Sequence, residues 1–92
     1  MMEEARGIIR KYILENFMFT EDEKALSNED SLLTTGIIDS TGMLELIVFI
    51  GDGFQITLED DELIPDNLDS VNKVAAFIQR KKEAPGSPSR LA

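Results

Sequence analysis

Ala5, Ile8, Ile9, Tyr12, Ile13 and Phe17 recur at three- and four-residue steps, which predicts an amphipathic helix over residues 3–17. Asn16 and the Thr20-Glu21-Asp22-Glu23 cluster are expected to end it. Residues 18–39 then form a long connection. A loop of that length is uncommon in a compact domain unless it is functional or held by its own apolar side chains. Leu26, Leu32, Leu33, Ile37 and Ile38 are spread along it in a way that suggests pinning. A second helix is predicted to start at Ser40 and run through Met43, Leu44, Leu46, Ile47, Phe49 and Ile50, apolar over much more than one face. Leu44 and Ile47 are assigned to the core. Met43 is either core or one of the adaptable surface contacts that methionine often makes. Gly51 and Gly53, each weaker than alanine by about 1 kcal/mol inside a helix, predict fraying after Ile50 or a run-on to Asp52 or Gly53.

Phe54, Ile56 and Leu58 alternate like a strand, but one short strand has no partner, so they are expected as a core-facing connector. Glu59 to Ile64 suggests a short helical turn stopped by Pro65. The last helix is predicted to begin at Ser70, after Asp69, with Val71, Val74, Ala75 and Ile78 on one face and Phe77 beside them. Arg80, Lys81 and Lys82 sit at its C-terminus, where the helix dipole favours cations. Three substantial helices plus a short one make an all-α fold, a small four-helix bundle, occupying residues 1–82. The composition of Ala84-Pro85-Gly86-Ser87-Pro88-Ser89 predicts a disordered C-terminal tail over 83–92.

The 92 residues leave room for one domain with one small core. Without cysteine, neither disulfides nor thiolate zinc sites hold the chain, so packing must. No run of about 18 apolar residues is present to span a bilayer. Met1-Met2-Glu3-Glu4-Ala5-Arg6 carries charge where a signal peptide needs an apolar stretch. The expectation is a soluble, cytoplasmic protein without membrane insertion. Its net charge of −9 is unevenly spread: residues 18–64 set twelve acids against Lys24 alone, while both flanks are balanced or mildly positive. Such a field repels phosphate backbones, which argues against nucleic-acid binding, and steers toward basic patches on partner proteins. The same acids also serve solubility, and composition does not separate the two roles.

Catalytic resources are few. No histidine is available as the base of a serine triad, and Lys24 and Lys73 have no motif around them for a Ser–Lys pair. Asp52-Gly53 followed by Glu59 has the spacing of the last half of an EF-hand loop. The upstream ligand positions, however, fall on Val48 and Ile50, which cannot coordinate calcium. Neither a metal site nor enzymatic activity is expected. Three Asp-Ser pairs remain, Asp30-Ser31, Asp39-Ser40 and Asp69-Ser70, each a plausible cap or turn. Ser31 is followed by Thr34, Thr35 and Gly36, poor helix material. Ser70 opens a good helix, but one that ends in a basic cluster with no acidic surface beside it. Only Ser40 combines a long pinned loop before it, an apolar helix after it and acids around it. A serine at that place is a helix N-cap or a handle for a prosthetic group.

At this point the chain resembles the phosphopantetheine-binding carrier family, which comprises acyl, peptidyl and D-alanyl carrier proteins. The matching stretch is Leu33-Thr34-Thr35-Gly36-Ile37-Ile38-Asp39-Ser40, then Leu44-Glu45-Leu46, Phe54-Gln55-Ile56, Asp60-Asp61-Glu62-Leu63 and Asn67-Leu68-Asp69-Ser70-Val71. The likeness covers residues 3–82 in order. It implies an acyl-carrier-type bundle that carries an acyl or aminoacyl group as a thioester on 4′-phosphopantetheine, derived from coenzyme A and attached to Ser40. It further implies that Asp39 helps position the modifying enzyme.

The implied partners are a phosphopantetheinyl transferase, an adenylate-forming acyl or aminoacyl ligase and downstream acyl-using enzymes, met by a monomeric, stand-alone carrier of fatty-acid or secondary-metabolite type. Leu33 to Ser40 looks nearer the carriers served by adenylate-forming ligases than those of fatty-acid synthesis. Two departures bear on partner choice: Thr41 stands where the family usually has leucine, and Gly51-Asp52-Gly53 where many relatives carry more acids. The literal Asp-Ser-Leu triplet falls instead at Asp30-Ser31-Leu32. Recognition is expected to lean on Asp39, Thr41, Glu45 and Asp52, with apolar contact from Met43 if it is exposed. The competing expectation is an unmodified acidic interaction domain in which Ser40 is only a helix N-cap.

Overall fold

The N-terminal apolar spacing becomes helix α1, Met2–Ile13, in the computed structural model, which describes residues 2–83 of the chain. Ala5, Ile9 and Ile13 form its buried stripe. Ile8, expected on that face, is 45% exposed. The buried positions follow one another at four-residue steps, which leaves Ile8 on the flank of the stripe, over a groove shared with Phe54 and Ile78. α1 then loosens into a π-helical turn, Leu14–Met18. The five-residue hydrogen-bond step of that turn accompanies a buried Leu14 and a Phe17 packed against the core. Phe19 stops the helix by adopting a left-handed backbone, φ 53, with its N–H bonded to the Leu14 carbonyl. Asn16, expected as part of the stop, instead donates its side-chain amide to the Tyr12 carbonyl at 2.9 Å.

The long connection is pinned, as its apolar spacing suggested. Leu26, Leu32 and Ile38 are buried and Ile37 packs against the core, whereas Leu33 is 38% exposed. Polar ties supply the rest. Arg10 donates to the carbonyls of Leu26 and Glu23 and to Asn28 Oδ1. The Asn72 N–H donates to the Asn28 carbonyl at 3.0 Å. Asp69 accepts three bonds from the loop: Ser31 Oγ at 2.6 Å and the Leu33 N–H at 2.9 Å on its carboxylate, and the Leu32 N–H at 2.8 Å on its carbonyl. A connection without regular structure thereby finds partners for its backbone groups.

Helix α2, Ser40–Phe54, takes the longer of the two expected courses, running past both glycines and one residue beyond Gly53. Its end is fixed from outside. Gln55 turns left-handed, φ 56, with its N–H on the Gly51 carbonyl, and the Ile56 N–H reaches the same oxygen at 3.2 Å. The returning connector lies in van der Waals contact over Gly51, where an added Cβ would stand 3.4 Å from Leu58 Cδ1. Phe54, Ile56 and Leu58 are half-buried against the core, as expected of a connector. The helical turn expected over Glu59–Ile64 is the shorter 3-10 turn Asp60–Glu62, tied down by Lys81, which donates to both Glu62 oxygens at 2.9 and 3.1 Å.

Pro65 does not stop that turn. It opens a short helix, α3, Pro65–Leu68, because its fixed φ and missing N–H suit the first helical position. Helix α4, Val71–Glu83, follows, and the Ser70 hydroxyl caps it by accepting the Lys73 N–H at 3.1 Å. Val71, Val74, Ala75, Phe77 and Ile78 are buried and meet Ile9, Ile13, Leu46 and Ile50 in one core. Each of these valine, leucine, isoleucine and phenylalanine side chains contributes about 1.5–3 kcal/mol on burial. The result is the all-α bundle of three long helices and one short one, with no strand among the described residues. The expected tail lies outside the described residues from Ala84 onward, and Glu83 closes α4.

Candidate functional site

The segment entering α2 is shaped by its own short-range bonds. The Ile38 N–H donates to the Leu32 carbonyl at 3.0 Å and Thr35 Oγ1 to the Ser31 carbonyl at 2.6 Å. Gly36 takes φ 80, a backbone conformation that favours glycine. The chain then reaches Asp39 in extended conformation. Its Oδ1 accepts the Gly42 N–H at 2.7 Å and its carbonyl the Met43 N–H at 2.8 Å. Asp39 is therefore the N-cap of α2, and Ser40 is its first helical residue. This corrects the expectation that Ser40 itself could be only a cap.

The three Asp-Ser serines now part company. Ser70 is 5% exposed and committed to capping α4. Ser31 donates its hydroxyl to Asp69 and accepts the Thr34 N–H at 3.0 Å. Ser40 is exposed, and its hydroxyl has no hydrogen-bond partner among the described residues. It stands on the first turn of a long helix, where unpaired N–H groups and the positive end of the helix dipole favour an anionic group such as a phosphodiester. That is the fit required of a phosphopantetheine attachment point.

Around the handle, Thr41, Glu45 and Asp52 are exposed as expected. Met43 is not the exposed apolar contact, because it is half-buried and packs against the core. Leu44, assigned to the core from sequence, is 61% exposed, and so is Val48. The buried line of α2 is Gly42, Leu46 and Ile50, at four-residue steps. Ser40, Leu44 and Val48 follow the same step on another line, so the two apolar side chains form a ridge leading away from the handle. Beneath it Tyr12 stacks on Phe49, with centroids 3.9 Å apart, and Phe17 meets Tyr12 edge-on at 5.8 Å. Desolvation by burial, and secondarily the Glu45 carboxylate, push the Tyr12 phenol above its ordinary value. Val48 was missed because α2 is apolar nearly all round, which silences periodicity. Its place two four-residue steps beyond Ser40, in line with Leu44, was the available signal. Among the described residues no group of three acidic side chains is placed to hold a metal ion.

A histidine-free and cysteine-free helical bundle that offers one free serine at a helix start, flanked by an apolar ridge, has the features of a carrier. No protein-family model matches the chain. It is 34% identical to a D-alanyl carrier protein of Streptococcus mutans over 67 residues, which is 73% of this chain and 84% of that protein. A D-alanyl carrier protein of Streptococcus suis is 37% identical over 61 residues, 66% of this chain and 76% of the relative. One of Streptococcus pyogenes is 31% identical over 78 residues, 83% and 98%. The chain belongs to the stand-alone carrier protein family that these relatives represent. It is a carrier protein and not itself an enzyme.

Proposed function

We propose that Ser40 bears 4′-phosphopantetheine and that the protein presents a small aminoacyl group, D-alanine by analogy with its relatives' names, to partner enzymes. The observation that carries this is the difference among the three serines: only Ser40 is both exposed and free of hydrogen bonds among the described residues. In the attachment, Ser40 Oγ attacks the pantetheine-side phosphorus of the coenzyme A pyrophosphate. An O–P bond forms, the pyrophosphate P–O bond breaks, adenosine 3′,5′-bisphosphate leaves, and the serine proton passes to a base on the transferase. When bound, the group supplies the thiol that a cysteine-free chain lacks, and with it a thioester link to cargo. Asp39 holds the turn from which Ser40 projects by capping α2.

The proposed partners are a phosphopantetheinyl transferase, an adenylate-forming ligase that loads the carrier and an acyl-using enzyme downstream. The first two consume coenzyme A and ATP, which places the work in the cytoplasm. Among the described residues no helix is long and apolar enough to cross a membrane. The test is intact-mass analysis after incubation with coenzyme A, magnesium and a broad-specificity transferase. One phosphopantetheinyl group should be added to the natural chain and none to Ser40→Ala; modification persisting in that variant refutes the assignment. The holo-protein should then be charged by a D-alanine-activating ligase with ATP. Loading by a malonyl transferase in place of any such ligase would move the protein to the fatty-acid or polyketide class.

A further inference from the structure

Gly42 lies buried, two residues beyond Ser40 in the same helical turn, and has no room for a side chain. A Cβ there would stand 2.7 Å from Phe17 Cε1, 3.2 Å from Ile38 Cγ2 and 3.3 Å from Asp39 Oδ1. The first of these is closer than packed carbon atoms approach one another, since their optimal separation is about 3.5–4.0 Å. The backbone of the α2 start therefore rests directly on the edge of the Phe17 ring.

The half-buried ring is braced from one side. The π-helical turn Leu14–Met18 delivers it from the end of α1. Tyr12 braces it edge-on at an interplanar angle of 69°, and Tyr12 is itself stacked at 10° on Phe49, one side of the α2 helix that the ring supports. Gly42 also donates the N–H that Asp39 caps. Cap, ring contact and Ser40 thus share one turn, and anything that lifts Gly42 moves all three.

We infer that Phe17 and Gly42 form a seat that positions Ser40, so that the π-helical end of α1 and the missing side chain at 42 set where the handle hydroxyl is offered to the modifying enzyme. They are positioning residues acting through the turn and touch no substrate. The inference rests on Ser40 as attachment point. Group transfer needs the attacking oxygen near in-line, and a misplacement of about 1 Å costs about a hundredfold in rate. Relieving a 2.7 Å contact requires a shift of several tenths of an ångström or more.

The experiment is steady-state phosphopantetheinylation of purified full-length variants with coenzyme A, magnesium and one transferase, alongside thermal unfolding. Gly42→Ala should remain folded and lose about tenfold or more in kcat, with KM for the carrier changing far less because the Leu44–Val48 ridge is intact. Adding Phe17→Leu, which removes the ring edge, should restore most of the kcat. Gly53→Ala is the control: it makes the same change in the same helix where nothing lies within 4 Å, and kcat should not move. An unchanged kcat in folded Gly42→Ala overturns the inference, as does failure of Phe17→Leu to rescue it. Should Gly42→Ala not fold, Phe17→Trp enlarges the ring against the same turn without altering α2, and an unchanged kcat there overturns it equally. A natural chain that accepts no group at all refutes the attachment at Ser40 itself. A natural chain modified normally, with Gly42→Ala equally fast, refutes only the seat.

Discussion

Removing the Asp69 carboxylate should loosen the loop that leads to Ser40, by an amount the structure allows to be worked out. Asp69→Ala deletes two charge-assisted bonds, from Ser31 Oγ at 2.6 Å and from the Leu33 N–H at 2.9 Å, and leaves the Asp69 carbonyl its bond from the Leu32 N–H. Bonds to a charged group contribute about 1.5–3 kcal/mol each when well shielded. Here only the Ser31 bond is part-buried, and Leu33 is exposed enough for water to replace its partner. The first bond is therefore worth about 1.5–2 kcal/mol and the second about 0.5 kcal/mol, for a total near 2 kcal/mol. A domain of this size loses about 4–8 °C in Tm per kcal/mol, so the expected fall is about 8–16 °C. Thermal unfolding followed by far-UV circular dichroism measures it. Asp69→Asn, which keeps an acceptor but not the charge, should lose less. Native-state hydrogen exchange should show the opening first at Leu32, Leu33 and Ile38, since the latch acts on the loop before the core. A fall of less than about 3 °C would refute the calculation and leave the buried Leu32 and Ile38 as the whole of the pinning.

Four further outcomes are expected. Asp39→Ala removes the α2 cap and should cost about 1 kcal/mol in urea unfolding, whereas Asp39→Asn, itself a good cap, should cost a few tenths; equal losses would show that charge and not capping matters there. Leu44→Lys with Val48→Lys, both on the exposed ridge, should change stability by less than about 0.5 kcal/mol each yet weaken ligase loading of the holo-protein. Glu45→Lys, and rising salt, should slow loading or modification without unfolding the bundle, because steering comes from the summed acidic field; rates indifferent to all of these would leave recognition to the arm alone. Tyr12 has a phenol raised above the ordinary 10.0 in the folded state. Its contribution to stability is therefore complete below about pH 10 and is lost as pH climbs through the raised folded value. Tyr12→Phe should flatten the stability curve above that pH, and an unchanged alkaline limb would show that Tyr12 is not its source.

The sequence by itself determined the bundle. The three- and four-residue steps from Ala5 to Phe17 and the steps at Val71, Val74, Ala75 and Ile78 each define a stripe to be buried; the structure buries the second in full and Ala5, Ile9 and Ile13 of the first, with Tyr12 and Phe17 half-buried and Ile8 exposed. The order of Asp39-Ser40 before a long apolar run also marked the candidate site, because a helix start is a local feature readable over a few residues, although the cap itself proved to be Asp39 and not Ser40. Tertiary structure decided what local pattern left open. α2 is apolar on nearly every side, so only its packing into the shared core with α1, the pinned loop and α4 determined that Leu46 and Ile50 face inward while Leu44 and Val48 face out. Its length past Gly51 came from the connector folding back over it. The choice among three chemically identical Asp-Ser pairs was likewise made at a distance. Ser31 is taken by a carboxylate 38 positions away in the chain, Ser70 by the burial around α4, and Ser40 is left exposed with no hydrogen-bond partner among the described residues. Propensity and periodicity report on neighbours in sequence, whereas a free hydroxyl is defined by what does not approach it in space.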